Sequence, residues 1–125
     1  MRHVESAMPH CLVEASQTLT RLISPAELLR LIEHAAARTE LFRPGEVKLR
    51  LHLYEHFSVG GTQADFVHLI FYLLAGRSDE QKLRLSREIV RDLVERLPGI
   101  EAISLDVRDI ERAAFSNSRN CSMPG

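Results

Sequence analysis

Apolar and polar residues alternate without a break through Val47-Lys48-Leu49-Arg50-Leu51-His52-Leu53-Tyr54, and a period of two predicts a strand with one buried face. The opposite face then carries Lys48, Arg50 and His52. The same alternation returns in Ala102-Ile103-Ser104-Leu105-Asp106-Val107-Arg108. By contrast, Phe66-Val67-His68-Leu69-Ile70-Phe71-Tyr72-Leu73-Leu74 is nearly continuous in apolar character, which predicts a strand covered on both sides and hence central. A shorter run, Cys11-Leu12-Val13-Glu14, opens behind Met8-Pro9-His10 and predicts the first strand, while Gly60-Gly61 supplies a turn.

Two segments change period. Ser24-Pro25-Ala26-Glu27 joins an N-cap serine, a proline at the first helical position and a glutamate able to reach back to the free amide. Leu28, Leu31, Ile32, Ala35 and Ala36 follow on one helical stripe, and Arg43-Pro44-Gly45 ends the segment. Ser78-Asp79-Glu80-Gln81 is the second capping box, leading into Leu85, Ile89, Val90, Leu93, Val94 and Leu97 before Pro98-Gly99 stops the helix. The order is strand, helix, strand, then strand, helix, strand. The predicted class is therefore α/β (α+β): a β-α-β unit of about fifty residues used twice. Right-handed crossovers place both helices on one face of a four-stranded sheet and leave the other face for a further copy of the chain to cover.

Composition narrows the function. At 125 residues and 45% hydrophobic the chain suits one small domain. A net charge of -1, with bases and acids interleaved in Arg84–Arg96, argues against a nucleic-acid protein. Two cysteines without paired spacing suggest neither a disulfide framework nor zinc. The leader Met1–Ala7 has no apolar centre and no window reaches a membrane span, so the cytoplasm is the expected compartment. Residues 1–8 read as a leader or a mis-assigned start, 9–115 as the domain and 116–125 as a flexible tail.

Pro9-His10-x-x-Val13-Glu14, Arg50-Leu51-His52, Phe66-Val67-His68 and Ala75-Gly76-Arg77-Ser78 occur in this order along the duplicated pattern. Together they resemble the 5-carboxymethyl-2-hydroxymuconate delta-isomerase family of the tautomerase superfamily, from Pro9 to about Asn120. The resemblance implies a cofactor-free homotrimer with active sites shared between subunits. It further implies an isomerase of aromatic catabolism, acting on an unsaturated hydroxy- or oxo-dicarboxylate, whose amino-terminal proline shuttles a proton. Carried onto this sequence, it makes Pro9 the base and acid. Arg77 and Lys48, with Arg50, hold the anionic oxygens, and Phe115 forms an apolar wall.

Each assignment has a plainer counterpart. Arg77 also reads as a surface arginine beside a cap, Arg50 as an ion-pair residue and Phe115 as a pin for the tail. Lys48 stands where the family commonly has arginine, and lysine lacks the planar fork that grips a carboxylate. His52 and His68 suggest a metal pair if their strands are neighbours, but no third ligand follows, and no metal is expected. His10 reads as orienting the start of the strand. Its side chain points to the face opposite Cys11, which leaves Cys11 without a partner base.

Everything turns on one nitrogen. Behind Met8 the Pro9 nitrogen is a tertiary amide and cannot accept a proton, whereas in a chain beginning at Pro9 it is a free secondary amine. The alternative reading is a catalytically silent trimeric binding or scaffold protein in which residues 1–8 are retained. A third reading leaves Arg77 and a water to promote slow tautomerisation, forfeiting the typical 10²–10⁴-fold of positioned proton transfer.

Overall fold

A computed structural model describes residues 8–121; the leader Met1–Ala7 and the last four residues lie outside the described residues. β1 (His10–Ser16) passes through a 3-10 turn at Gln17–Arg21 into α1 (Pro25–Arg38) and β2 (Lys48–Tyr54). β3 (Phe66–Leu74), α2 (Asp79–Arg96) and β4 (Ala102–Ile110) follow, then a 3-10 turn at Arg112–Ala114 and the single turn α3 (Ser118–Cys121). The sheet order is β2-β1-β3-β4. The outer pairs β1–β2 and β3–β4 are parallel and the central pair β1–β3 is antiparallel, so two β-α-β units meet along their first strands. The duplicated pattern read from the sequence is the observed architecture.

The core lies between the sheet and the two helices. Val13 and Ala15 of β1 and Val67, Leu69, Phe71 and Leu73 of β3 are fully buried against Leu28 and Ile32 of α1 and Leu85, Ile89 and Leu93 of α2. The helices run antiparallel, with ion pairs at both ends: Arg96 to Glu27 at 2.8 Å, and Arg38 to Glu88 at 3.0 Å and Asp92 at 2.8 Å. Burial makes the core the main stabilising term. These exposed pairs chiefly fix the helices' alignment.

The helix ends refine the sequence reading. The Ser78 box is complete: its hydroxyl accepts from the Gln81 amide at 3.1 Å, and the Gln81 side chain accepts from the Ser78 amide at 2.9 Å. At Ser24 the serine caps Glu27 as expected, but Glu27 itself pairs with Arg96 instead of reaching back. α1 also stops at Arg38, before Arg43-Pro44-Gly45. Thr39 accounts for this: its hydroxyl bonds the Ala36 carbonyl at 2.6 Å, and Glu40 turns to a φ of +59°. Gly60 and Gly61, at φ +57° and +84°, form the expected turn inside the Val59–Thr62 bridge.

At the end of the sheet where β1 finishes and β3 begins, Asp65 is nearly buried. Its Oδ1 accepts from Ser16 at 2.7 Å and Thr18 at 2.5 Å, and its Oδ2 from Arg21 at 2.8 Å. Burial alone raises the Asp65 pKa, but the three donors outweigh it and hold the carboxyl below its ordinary 3.8. A carboxylate depressed in the folded state contributes stability above its ordinary pKa and loses it as the pH falls through the folded value. Asp65→Asn should therefore cost about 1–3 kcal/mol in urea unfolding near neutral pH. The difference from the parent should shrink on acidification below pH 4; a gap that widens there would remove Asp65 from this role.

The face away from the helices is open and mixed. The strand register sets its rows: Lys48, His10, Tyr72 and Arg108; then Arg50, Leu12, Ile70 and Asp106; then His52, Glu14, His68 and Ser104. Tyr54 donates to Glu14, and His68 Nδ1 lies 2.7 Å from Ser104 Oγ.

Candidate active site

One end of the sheet collects the start of β1, the start of β2, the exit of β3 and the exit of β4, because the outer pairs are parallel and the central pair is not. Pro9, Lys48, Arg77 and Phe115 therefore belong to one end of the molecule although up to 106 residues apart in sequence. Pro9 is buried, and its carbonyl accepts from the Lys48 amide at 3.2 Å, carrying the β1–β2 ladder one residue beyond β1. The Met8 amide donates to Glu46 Oε1 at 3.3 Å, and Glu46 Oε2 accepts from the Arg43 amide at 2.9 Å. Asn117 donates to the Met8 sulfur at 3.4 Å.

These segments enclose a cavity of about 520 Å³, lined by Met8, His10, Lys48, the loop 43–46 and residues 115–119. Arg43, Lys48 and Arg119 outnumber Glu46 on its wall, so the cavity suits an anion of small-molecule size. Of the residues chosen from the sequence, Lys48 and Phe115 line it directly. Arg50 stands two residues further along β2, on the same open face and opposite Leu12. Arg77 lies in the loop between β3 and α2, outside the cavity lining, with its Nε buried and without a hydrogen-bond partner among the described residues. That loop is held by Arg112, whose Nε donates to the Ala75 carbonyl at 2.7 Å. Gly76 beside it sits at φ +129°, a conformation that L side chains rarely adopt.

Sequence reasoning missed Glu46, Arg43, Asn117 and Arg119. The tail, expected to be flexible from residue 116, carries α3 as far as Cys121. Asn117 and Asn120 each accept the other's backbone amide, at 2.8 and 3.0 Å. An Asn three residues before another Asn is a cap signal that was available. Arg43-Pro44-Gly45-Glu46 was legible only as a helix end.

His52 and His68 are not on neighbouring strands. β1 lies between β2 and β3, and Glu14 separates the two imidazoles in their row, so the adjacency on which a metal pair would depend does not occur. Among the described residues no group of three His, Cys, Asp or Glu side chains is placed to hold a metal ion. Cys11 faces the core, away from His10, and burial pushes its thiol up to about 12. No described helix is long and apolar enough to cross a membrane.

Two β-α-β units joined by an antiparallel centre, with a cationic cavity at the entry to the first strand, define a protein of the tautomerase fold. The chain belongs to the 5-carboxymethyl-2-hydroxymuconate isomerase family, which matches residues 9–121. The fold is shared with a 5-carboxymethyl-2-hydroxymuconate isomerase from Deinococcus radiodurans R1 at TM-score 0.73 and 22% identity, over 92% of each chain. A 5-carboxymethyl-2-hydroxymuconate delta-isomerase aligns at TM-score 0.69 and 17% identity, over 96% of each chain. A fused 4-OT wild-type asymmetric trimer aligns at TM-score 0.73 and 20% identity, over 91% of this chain and 99% of its own. Among curated proteins the sequence finds no match.

His10 lines the cavity opposite Lys48. Burial, then Lys48, then Arg50 all disfavour its charged form and hold its pKa below the ordinary 6.5. A histidine depressed in the folded state takes up protons more readily when unfolded, so its contribution to stability falls as the pH drops below about 6.5. Proton NMR of the imidazole should give a His10 midpoint below 6.5 that moves upward in Lys48→Met. A midpoint unmoved by that substitution would place Lys48 elsewhere than beside His10.

Proposed function

We propose that this chain, when it begins at Pro9, is a cofactor-independent isomerase of unsaturated hydroxy- or oxo-dicarboxylates of the 5-carboxymethyl-2-hydroxymuconate type. The observation that carries the reading is the coincidence of three features at Pro9: the family match begins there, β1 begins beside it, and its two neighbours, Met8 and His10, line the cationic cavity. A free α-amino group has an ordinary pKa of about 7.7–8.0, and cations nearby lower it toward a base that is neutral in the cell. The neutral Pro9 nitrogen takes the enol proton and the enol oxygen's electrons close the carbonyl. The double bonds shift along the chain, and the pyrrolidinium returns a proton to the distal carbon. Lys48, Arg50 and Arg77 hold the carboxylates and the developing oxyanion, and Phe115 walls the apolar part of the substrate.

Arg77 and Arg50 lie outside the cavity of their own chain, which favours a site completed by a neighbouring subunit. Fused 4-OT proteins of similar fold are named as symmetric and asymmetric trimers, and the open sheet face offers the surface for such an assembly. The cytoplasm is the compartment in keeping with this role. In the longer chain the backbone at Met8 is strained. Met8 sits at φ +47°, although a residue before proline is restricted to extended conformations. Holding an L residue there costs on the order of 1–2 kcal/mol.

Loss of ultraviolet absorbance by a 2-hydroxymuconate-type dienol measures the activity. The Pro9 form should be faster than the chain from Met1 by at least the roughly 10²–10⁴-fold that positioned proton transfer supplies, and only its rate should rise with pH through the amine's pKa. Equal rates would exclude Pro9 as the base, and inactivity of both would favour the silent binding protein whose leader seats Met8 on Glu46. Sedimentation at micromolar concentration should report a trimer, and a stable active monomer would sink the shared site. Arg77→Ala should cut turnover about 10²-fold or more while the trimer stays intact.

A further inference from the structure

Glu46 stands at the one point where the two forms of the chain differ. Its carboxylate joins the lead-in of β1 to that of β2: Oε1 takes the Met8 amide and Oε2 the Arg43 amide, while the Glu46 amide closes the turn on the Arg43 carbonyl at 3.1 Å. The carboxylate is part of the cavity wall. Three covalent bonds separate the Met8 nitrogen from the Pro9 nitrogen, a span of about 3 Å. With Oε1 3.3 Å from the first nitrogen, the second lies at most about 6 Å from it.

We propose that Glu46 is a positioning residue for Pro9: in a chain beginning at Pro9, Oε1 passes from the Met8 amide to the Pro9 amine and fixes the direction in which that nitrogen exchanges its proton. The inference rests on the reading of Pro9 given above. A neutral secondary amine has one N–H and one lone pair. With the N–H committed to Glu46, the lone pair is left for the substrate. Once protonated, the pyrrolidinium has two N–H bonds, one still held by Glu46 and the other available to the substrate carbon. Without that anchor the two positions are equivalent, and only a fraction of encounters present the lone pair to the substrate.

The electrostatic consequence has a definite sign. The titratable and cationic groups of the cavity wall beside Pro9 are His10 on β1, Arg43 and Lys48 on the lead-in and start of β2, and Arg119 in the tail. Arg77 and Arg112 lie on the segments that follow β3 and β4 at the same end of the sheet. The cations disfavour the pyrrolidinium. Glu46 opposes them and keeps the amine from losing its basicity altogether.

The test is an NMR titration of the Pro9 amine, labelled with ¹⁵N-proline, in the Pro9 form and in its Glu46→Gln variant. Every described strand, helix and core residue lies at His10 or beyond, so the Pro9 form keeps the sheet, the helices and the core. Glutamine keeps the size and one acceptor but removes the charge, and the amine pKa should fall by about one unit. Turnover should drop at its plateau while its rise with pH shifts downward by the same amount; loss of a purely structural contact moves neither pKa nor profile. An amine pKa that does not move on loss of this neighbouring charge would overturn the proposal. If Glu46→Gln does not fold, the parent alone decides. The ¹³C resonance of the Glu46 carboxyl should show a second inflection at the amine's midpoint, and its absence would likewise overturn the proposal. An amine that shifts as expected in a protein without dienol turnover supports Glu46 and refutes the isomerase reading. Turnover that needs a free Pro9 but ignores Glu46 does the reverse.

Discussion

The antiparallel pairing of β1 with β3 is the constraint on which the rest of this molecule depends. A β-α-β unit by itself sends both strands the same way, so its starts lie at one end and its exits at the other. Joining two units head to tail along their first strands brings the starts of one to the exits of the other. The entry proline, the cation at the head of β2, the Ala75–Ser78 loop and the segment carrying Phe115 come together for that reason alone. No local feature of those four segments would bring them together. The chemistry of the cavity wall follows from the topology, and the sheet's alternation decides which side chains join it: Lys48 and His10 face it while Leu49 and Cys11 turn to the core.

Much of this was legible because the relevant signals are local. Phe66–Leu74 is more continuously apolar than the alternating Val47–Tyr54, and that difference marked β3 as a central strand. Ser24 and Ser78 announced helix starts through chemistry confined to four residues. What escaped depended on partners far along the chain. Glu27 had a reachable amide three residues back, yet Arg96, 69 residues away, claimed its carboxylate. α1 ended at Thr39 because a threonine hydroxyl can bond its own helix, a choice that periodicity does not record. His52 and His68 looked adjacent because β2 and β3 are consecutive in sequence. Strand order places β1 between them, and no pattern within either strand carries that information.

The candidate site was legible in kind more than in membership. Pro9, Lys48 and Phe115 came from a family pattern, and the fold gathers them. Glu46 and the Asn117–Asn120 pair were invisible as site residues because nothing marks a loop glutamate or a tail asparagine until the ends of the sheet are assigned. Arg77 shows the converse. It was chosen for its place in the order of four motifs, yet it stands outside the cavity lining, with its Nε unpartnered among the described residues.

The Asp65 cluster has a wider implication. It ties Ser16, Thr18 and Arg21 to the start of β3, at the end of the sheet farthest from the entry proline. The fastening of the central strands and the walls of the cavity therefore occupy opposite poles of the same hydrogen-bonded ladder. A change at Lys48, in the loop 43–46 or in the tail therefore leaves the hydrogen bonds that fasten β1 to β3 in place. The scaffold and the cavity wall can be altered one without the other.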